Sequence, residues 1–160
     1  EKMFRTTLKT MKRVLPENDT STLIAMNGLA GVFNQQEKYV EAEVVLRELL
    51  VIHKQVLGPM HPSTLLTLSN VGITLTNQEK HAEAEQLLRE CYAASVKVIG
   101  AKHPQTMQTA SYLGDTLAKF GQREEAEPLL RQALKLQTEV LGASHTNTQW
   151  TARRLAFHFG

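Results

Sequence analysis

A 42-residue period runs along the chain and restricts it to folds made of stacked copies of one unit. His61-Pro62, His103-Pro104 and His145-Thr146 stand 42 residues apart, and the same step back from His61 reaches Asp19-Thr20. A threonine follows three residues after each anchor, as Thr22, Thr64, Thr106 and Thr148. Whole columns keep this register: Leu29, Val71, Leu113 and Leu155; Ala30, Gly72, Gly114 and Ala156; Ala42, Ala84 and Ala126; Arg47, Arg89 and Arg131; Gly58, Gly100 and Gly142. In such an array each unit buries its apolar face on its neighbours, so the core is spread along a line.

Within a unit, apolar residues follow helical spacing in two blocks, as in Leu65, Leu68, Val71, Leu75 and then Ala84, Leu87, Leu88, Cys91. This predicts first helices near 20–35, 62–77, 104–120 and 146–159, and second helices near 39–57, 81–99 and 123–141. The turns at 36–38, 78–80 and 121–122 are short enough to force antiparallel neighbours. Pro62 and Pro104 fit a first helical position, whose amide has no intrahelical partner. Gly58, Gly100 and Gly142 fit a left-handed stop after the second helices. The small residues of the Ala30 and Ala42 columns let paired helices approach closely. Pro128 predicts a kink or an irregular first turn in the third second helix. Gly28 and Gly31, inside the first of the first helices, predict that this helix is the loosest.

The pattern resembles the tetratricopeptide signature W-x2-L-G-x2-Y followed by A-x3-F. The matching residues are Leu68, Val71, Gly72, Leu75, Ala84 and Leu88 in one unit, and Ala110, Leu113, Gly114, Leu117, Ala126 and Leu130 in the next. The period exceeds the ordinary one by roughly 8 residues, about two helical turns, which longer second helices absorb. With the junction Leu57-Gly58-Pro59-Met60-His61-Pro62, the chain looks like the kinesin light chain type of tetratricopeptide repeat. The resemblance implies an all-α, right-handed α-solenoid of stacked antiparallel helix pairs. It covers 1–160 as a single array, because Glu1 to Leu15 aligns with Glu43 to Leu57. The units are an orphan second helix and junction over 1–18, full repeats at 19–60, 61–102 and 103–144, and an orphan first helix over 145–160. A fragment of a longer array is the expectation.

The resemblance also implies a role. Repeats of this type bind cargo adaptors in kinesin light chains and serve as sensor arrays beside nucleotide-binding switch domains. The kinesin light chain groove shows a recurrent Asn-Asn pair; the corresponding pairs here are Asn27-Gly28, Ser69-Asn70, Ser111-Tyr112 and Arg153-Arg154, so a cargo motif is not carried over. Register on the first helices places Asn27, Asn34, Gln35, Ser69, Asn70, Ile73, Asn77, Ser111, Tyr112, Asp115, Lys119, Arg153 and Arg154 on the concave face. Trp150 either faces that groove or covers the end of the core. Residues 20–36 and 62–78 contain no Asp, Glu, Lys or Arg, and 104–120 contain Asp115 and Lys119 alone. A neutral, amide-rich groove suits an extended peptide, because Asn and Gln both donate and accept. Asn27, Asn34, Asn70 and Asn77 are expected to bond a ligand main chain, and Arg153 and Arg154 to favour an acidic residue.

Other functions are disfavoured. Net charge of +2 over 160 residues is too small to argue for nucleic acid or a membrane surface. No apolar run spans a bilayer and no secretory signal is visible, and one cysteine suits a reducing compartment, so a cytoplasmic protein is expected. His61, His103 and His145 open different repeats and cannot converge on one metal ion; capping the helix junctions accounts for them better. His53, His81 and His158 share no face with Cys91 or a carboxylate cluster, and Cys91 shares a column with Leu49 and Ala133, as a buried core residue would. No phosphate loop or hydrolase motif occurs. Glu43/Arg47, Glu85/Arg89 and Glu127/Arg131 are helix-stabilising pairs four apart. Lys2, Arg5, Lys9, Lys12 and Arg13 form a stripe that is a solvated outer face or a site for an acidic partner. The reading is a non-catalytic, metal-free and cofactor-free scaffold for a protein or peptide partner. Self-association through uncovered terminal helices, and a sensor segment of a larger regulatory protein, are the alternatives.

Overall fold

The computed structural model describes Thr6, Thr10 and residues 19–160. Beyond those two threonines, the expected orphan helix over 1–18 and its basic stripe of Lys2, Arg5, Lys9, Lys12 and Arg13 lie outside the described residues. Seven helices follow: α1 (Thr20–Gln35), α2 (Tyr39–Val56), α3 (Pro62–Asn77), α4 (His81–Ile99), α5 (Pro104–Lys119), α6 (Arg123–Leu141) and α7 (Thr146–Phe159). Among the described residues there is no strand, so the fold is all-α. The sequence-predicted bounds hold except at Leu57 and Phe120, which cap α2 and α5 rather than belonging to them. Odd-numbered helices are the first members of each pair; α3 and α5 pack on the second helices before and after them, while among the described residues α1 packs on α2 and α7 on α6.

Each first helix starts the same way. The backbone N–H of Ser21 donates to Asp19 Oδ1 at 2.8 Å, and those of Ser63, Gln105 and Asn147 donate to the Nδ1 of His61, His103 and His145 at 3.1, 3.2 and 3.2 Å. An imidazole with a bare Nδ1 thus replaces the aspartate as the cap that satisfies an orphan amide. The glycines that close α4 and α6 depart from expectation. Gly100 and Gly142 have positive φ (89° and 90°) but ψ of 155° and 158°, the mirror of extended backbone rather than a left-handed helical stop. Left-handed helical φ occurs instead in the turns inside the pairs, at Glu37 and Glu79, both at 59°.

Close approach of paired helices is built into the small-residue column. A Cβ on Gly72 would lie 2.6 Å from Leu88 Cγ, and one on Gly114 would lie 2.6 Å from Leu130 Cγ. Across each crossing Ala42, Ala84 and Ala126 are fully buried. Core residues run along the array from Met26, Leu29 and Phe33 through Leu65, Val71 and Leu75 to Leu113, Leu117 and Leu130. Cys91 is part of this core, and its Sγ donates to the Leu65 carbonyl at 3.1 Å. Pro128 lies exposed inside α6, which is one continuous helix from Arg123 to Leu141.

In α3 and α5 the scarcity of charge goes with enclosure. In α3 and α5 the threonines at 64, 67, 74, 76, 106, 109 and 116 are all buried. Several return their hydroxyl to the carbonyl four residues earlier: Thr67 to Ser63, Thr76 to Gly72 and Thr109 to Gln105, each at 3.0 Å. Such internal bonding lets a hydroxyl enter an interior that would reject a charge.

On the opposite side the second helices are linked by ions. Arg47 pairs with Glu43 at 2.8 Å and with Glu83 of the following pair. Arg89 pairs with Glu85 at 2.8 Å and grips both oxygens of Glu125 at 2.6 and 2.7 Å. Glu43 also accepts from Lys80 at 2.7 Å and Gln78 at 2.8 Å. The acid–arginine pairs read as local helix supports are therefore also rungs between repeats.

Candidate functional site

Residues from all four first helices, and from no second helix, line a concave cavity of about 670 Å³. Asn34 and Gln35 come from α1; Ile73, Thr76 and Asn77 from α3; Tyr112, Asp115, Thr116 and Lys119 from α5; Trp150 and Arg154 from α7. Thr116 is a lining residue that the sequence did not single out, and it stands beside Thr76, which the register had placed on this face. Their hydroxyls bond each other at 2.8 Å, a contact that the repeat register alone does not reveal.

The other expected groove residues lie elsewhere. Ser69 and Ser111 are 2% and 1% exposed, so they are packing residues and not outward-facing ones. Ser111 donates to the Met107 carbonyl at 3.0 Å and accepts from Gln137 Nε2 at 3.2 Å and Thr151 Oγ1 at 2.8 Å, tying α5 to α6 and α7. Asn70 donates to Asn27 Oδ1 at 3.3 Å, and Asn34 Nδ2 donates to Thr74 Oγ1 at 3.0 Å. These amides spend part of their capacity between neighbouring first helices. Arg153 is exposed outside the cavity lining. The side chains of Gln35 and Asn77 have no hydrogen-bond partner among the described residues, which leaves them available to a guest.

Charge gathers at one end. Asp115, 5% exposed, lies 2.8 Å from His158 Nε2, 3.3 Å from Lys119 Nζ and 3.6 Å from Arg154 Nε. Here His158 meets a carboxylate, a contact absent from the sequence reading. One buried carboxylate faces two permanent cations, so a net positive charge is left over at this end.

Trp150 faces the groove. Its ring meets Tyr112 edge-on at 5.1 Å between centroids, and the Arg154 guanidinium stacks over it at 5.2 Å. Phe159 takes the role of covering the core, packed against the cluster of Leu113 and Leu117 with Arg123 over its ring at 4.7 Å. Tyr112 accepts from Gln108 Nε2 at 2.5 Å; burial pushes its phenol pKa up, only partly opposed by that bond, so it stays a neutral donor. Behind Tyr112 and Trp150 a smaller cavity of about 160 Å³ opens between α5, α6 and α7.

Chemically this is a concave surface of amides, hydroxyls, two aromatic rings and an unbalanced cation cluster. Among the described residues no group of three or more His, Cys, Asp or Glu converges as metal ligands would, and no helix is long and apolar enough to cross a membrane. Burial raises the Cys91 pKa to about 11, against smaller opposing hydrogen bonds, which makes its thiol a poor nucleophile at neutral pH.

Comparison with known proteins agrees with this architecture. The family model for the tetratricopeptide repeat matches residues 21–95 and 64–139. Two crystal structures of nearly identical, kinesin light chain-like TPR repeats from Podosopora anserina, one of them a variant, superpose with TM-scores of 0.77 and 0.74 at 22% identity. Each aligns over 99% of this chain, and over 74% and 75% of its own length. The crystal structure of BtubC (BKLC) from P. vanneervenii gives a TM-score of 0.78 at 14% identity, covering 99% of this chain and 63% of its own. No curated protein matches in sequence.

Proposed function

Because this chain belongs to the tetratricopeptide repeat family, we propose that it is a non-catalytic scaffold holding an extended segment of a partner protein along its concave groove. The observation that carries this reading is the cavity of about 670 Å³ contributed by all four first helices. Its length lies across successive repeats, as an extended chain would. Gln35 and Asn77 supply donors and acceptors to a ligand main chain, which needs both. Lys119 and Arg154 outnumber Asp115 and favour an acidic residue at the α7 end, while Trp150 and Tyr112 give a rigid aromatic contact of the kind that concentrates binding energy. The kinesin light chain-like neighbours share the scaffold fold on which this reading rests, and a cargo or adaptor role is part of the proposal. The one cysteine, buried and unpaired, fits a reducing cytoplasmic setting.

The reading is tested on an array of immobilised 15-residue peptides graded in acidic content. The native chain should retain a subset enriched in Asp and Glu, Asn77→Ala should weaken that subset generally, and Arg154→Glu should remove its acidic preference. Retention of the same peptides by the Arg154→Glu chain, or no retention at all, refutes it.

A further inference from the structure

Gly28 and Gly31 stand on the exposed face of α1, in the interior of the helix. A Cβ at either would meet nothing within 4 Å, unlike one at Gly72 or Gly114, so packing does not require glycine there. Their counterparts in the later first helices are Asn70 and Ile73, then Tyr112 and Asp115, and Ile73, Tyr112 and Asp115 line the groove. The floor of the groove is therefore bare at α1 and carries side chains further along. A helical glycine that packing does not require lets another backbone come close. Two lanes flank this floor. Toward the helix N-termini one column holds Ile24, Leu66, Gln108 and Trp150, with Ile24 67% and Leu66 40% exposed. Leu66 lies on α3, which is bonded to α1 on one side and packed on α5 on the other, so its exposure belongs to the concave face itself. Gln108 is committed to the Tyr112 hydroxyl, whose ring stands beside Trp150. Toward the C-termini a second column holds Gln35, Asn77 and Lys119. On α1 the two lanes, at Ile24 and Gln35, are about 16 Å apart at 1.5 Å per residue.

We propose that the partner segment lies with its main chain against Gly28 and Gly31 and its side chains falling alternately into the two lanes, so that the recognised pattern alternates apolar with acidic or amide residues. This rests on the concave groove being the binding surface. In an extended chain successive side chains point to opposite sides, and the N–H and C=O groups project at right angles to them. Backbone groups turned to the floor meet Asn27 and Asn70, whose mutual bond at 3.3 Å leaves Asn27 Nδ2 and Asn70 Oδ1 without a partner among the described residues. The side chains then lie parallel to the floor. Those on one side meet Ile24, Leu66 and Trp150; those on the other meet Gln35, Asn77 and the Lys119 ammonium. A helical guest makes no use of the bare strip, because its own side chains hold its backbone away from Gly31.

The test titrates two fluorescein-labelled peptides of identical composition against the intact chain by fluorescence anisotropy. One repeats Val-Glu six times; the other repeats Val-Val-Glu-Glu three times, an order that gathers valine on one side of a helix. The alternating peptide should bind at least about fivefold more tightly. Gly31→Ala should weaken it by a similar factor while the chain melts no lower than the parent, since the added methyl meets no neighbour. Leu66→Glu, at a half-exposed position, should weaken it as well. Equal affinity for the two orders, tighter binding of the second order, or binding that ignores Gly31→Ala overturns the proposal. Acidic peptides held without regard to order leave the groove reading standing and remove this one. Failure of both orders to bind also overturns it, and the groove reading then stands or falls on the graded peptide array.

Discussion

Glu43 should be the most pH-sensitive joint of the array. It is 9% exposed and accepts from Arg47 at 2.8 Å, Lys80 at 2.7 Å and Gln78 at 2.8 Å, so it joins α2 to the next repeat. Burial alone pushes its carboxyl up, but the hydrogen bonds from Lys80, Arg47 and Gln78 and the Lys80 charge outweigh it, bringing the pKa from 4.5 down to about 2. At 1.36 kcal/mol per unit this depression corresponds to about 3 kcal/mol of folding stability. The folded value lies below the unfolded one, so this stability is fully present above pH 4.5 and fades as pH falls through the folded value of about 2. Glu43→Gln keeps the shape and removes the charge. Urea unfolding followed by circular dichroism should therefore show a loss of about 3 kcal/mol at pH 7, shrinking toward zero near pH 2. Glu127→Gln is the control: this acid bonds only Arg131 of its own helix among the described residues, and should cost about 0.5 kcal/mol or less. A loss under about 1 kcal/mol at pH 7, or an equal loss at pH 7 and pH 2.5, refutes the assignment of Glu43 as an inter-repeat joint.

Three further outcomes follow from the geometry. His103→Ala should lower stability by about 0.5 to 2 kcal/mol in thermal melts, whereas His103→Asp, the residue type that caps α1 at Asp19, should hold or raise it. Gly72→Ala and Gly114→Ala should cost about 1 to 3 kcal/mol by driving a methyl into Leu88 or Leu130, while Gly28→Ala and Gly31→Ala, which meet nothing within 4 Å, should add about 0.5 to 1 kcal/mol each. Cys91 should resist a thiol reagent at pH 8 in the native chain and react on unfolding, because it is fully buried with a pKa near 11.

The helices and their pairing were legible because every unit repeats the same constraints, and agreement among columns averages out local exceptions. Pro128 is such an exception, and the two turns with Glu37 and Glu79 at positive φ are others. The groove was legible in outline only. Register says which side of a helix a residue occupies, but not how deeply the neighbouring repeat covers it, and so Ser69 and Ser111 were placed outward although adjacent helices enclose them. For the same reason the lack of charge in α3 reads first as a ligand surface, when its buried threonines show that most of it serves packing. Contacts between repeats were invisible because they do not fall at the period itself. They occur 36 residues apart for Arg89–Glu125, 40 for Thr76–Thr116 and 43 for Asp115–His158.

Those offsets carry the shape of the groove. First helices are stitched to one another by short side chains, with Thr76 to Thr116 and Thr151 to Ser111 both at 2.8 Å, and the backbones of α3, α5 and α7 come correspondingly close. Second helices are joined by arginine and glutamate, whose combined reach bridges a wider gap, and their backbones do not approach as the first helices' do. A step that is narrow on one side and wide on the other bends the array toward the narrow side. Thus the first helices line the inside of the curve, and the cavity lies where all four of them converge. Offsets of 40 and 43 stay within about three residues of the period, a slip of under one helical turn, whereas the long side chains of the second helices join residues 36 apart. Curvature is therefore set by the difference in side-chain length between the two faces. The buried hydroxyls hold the lining residues of successive repeats around one trough.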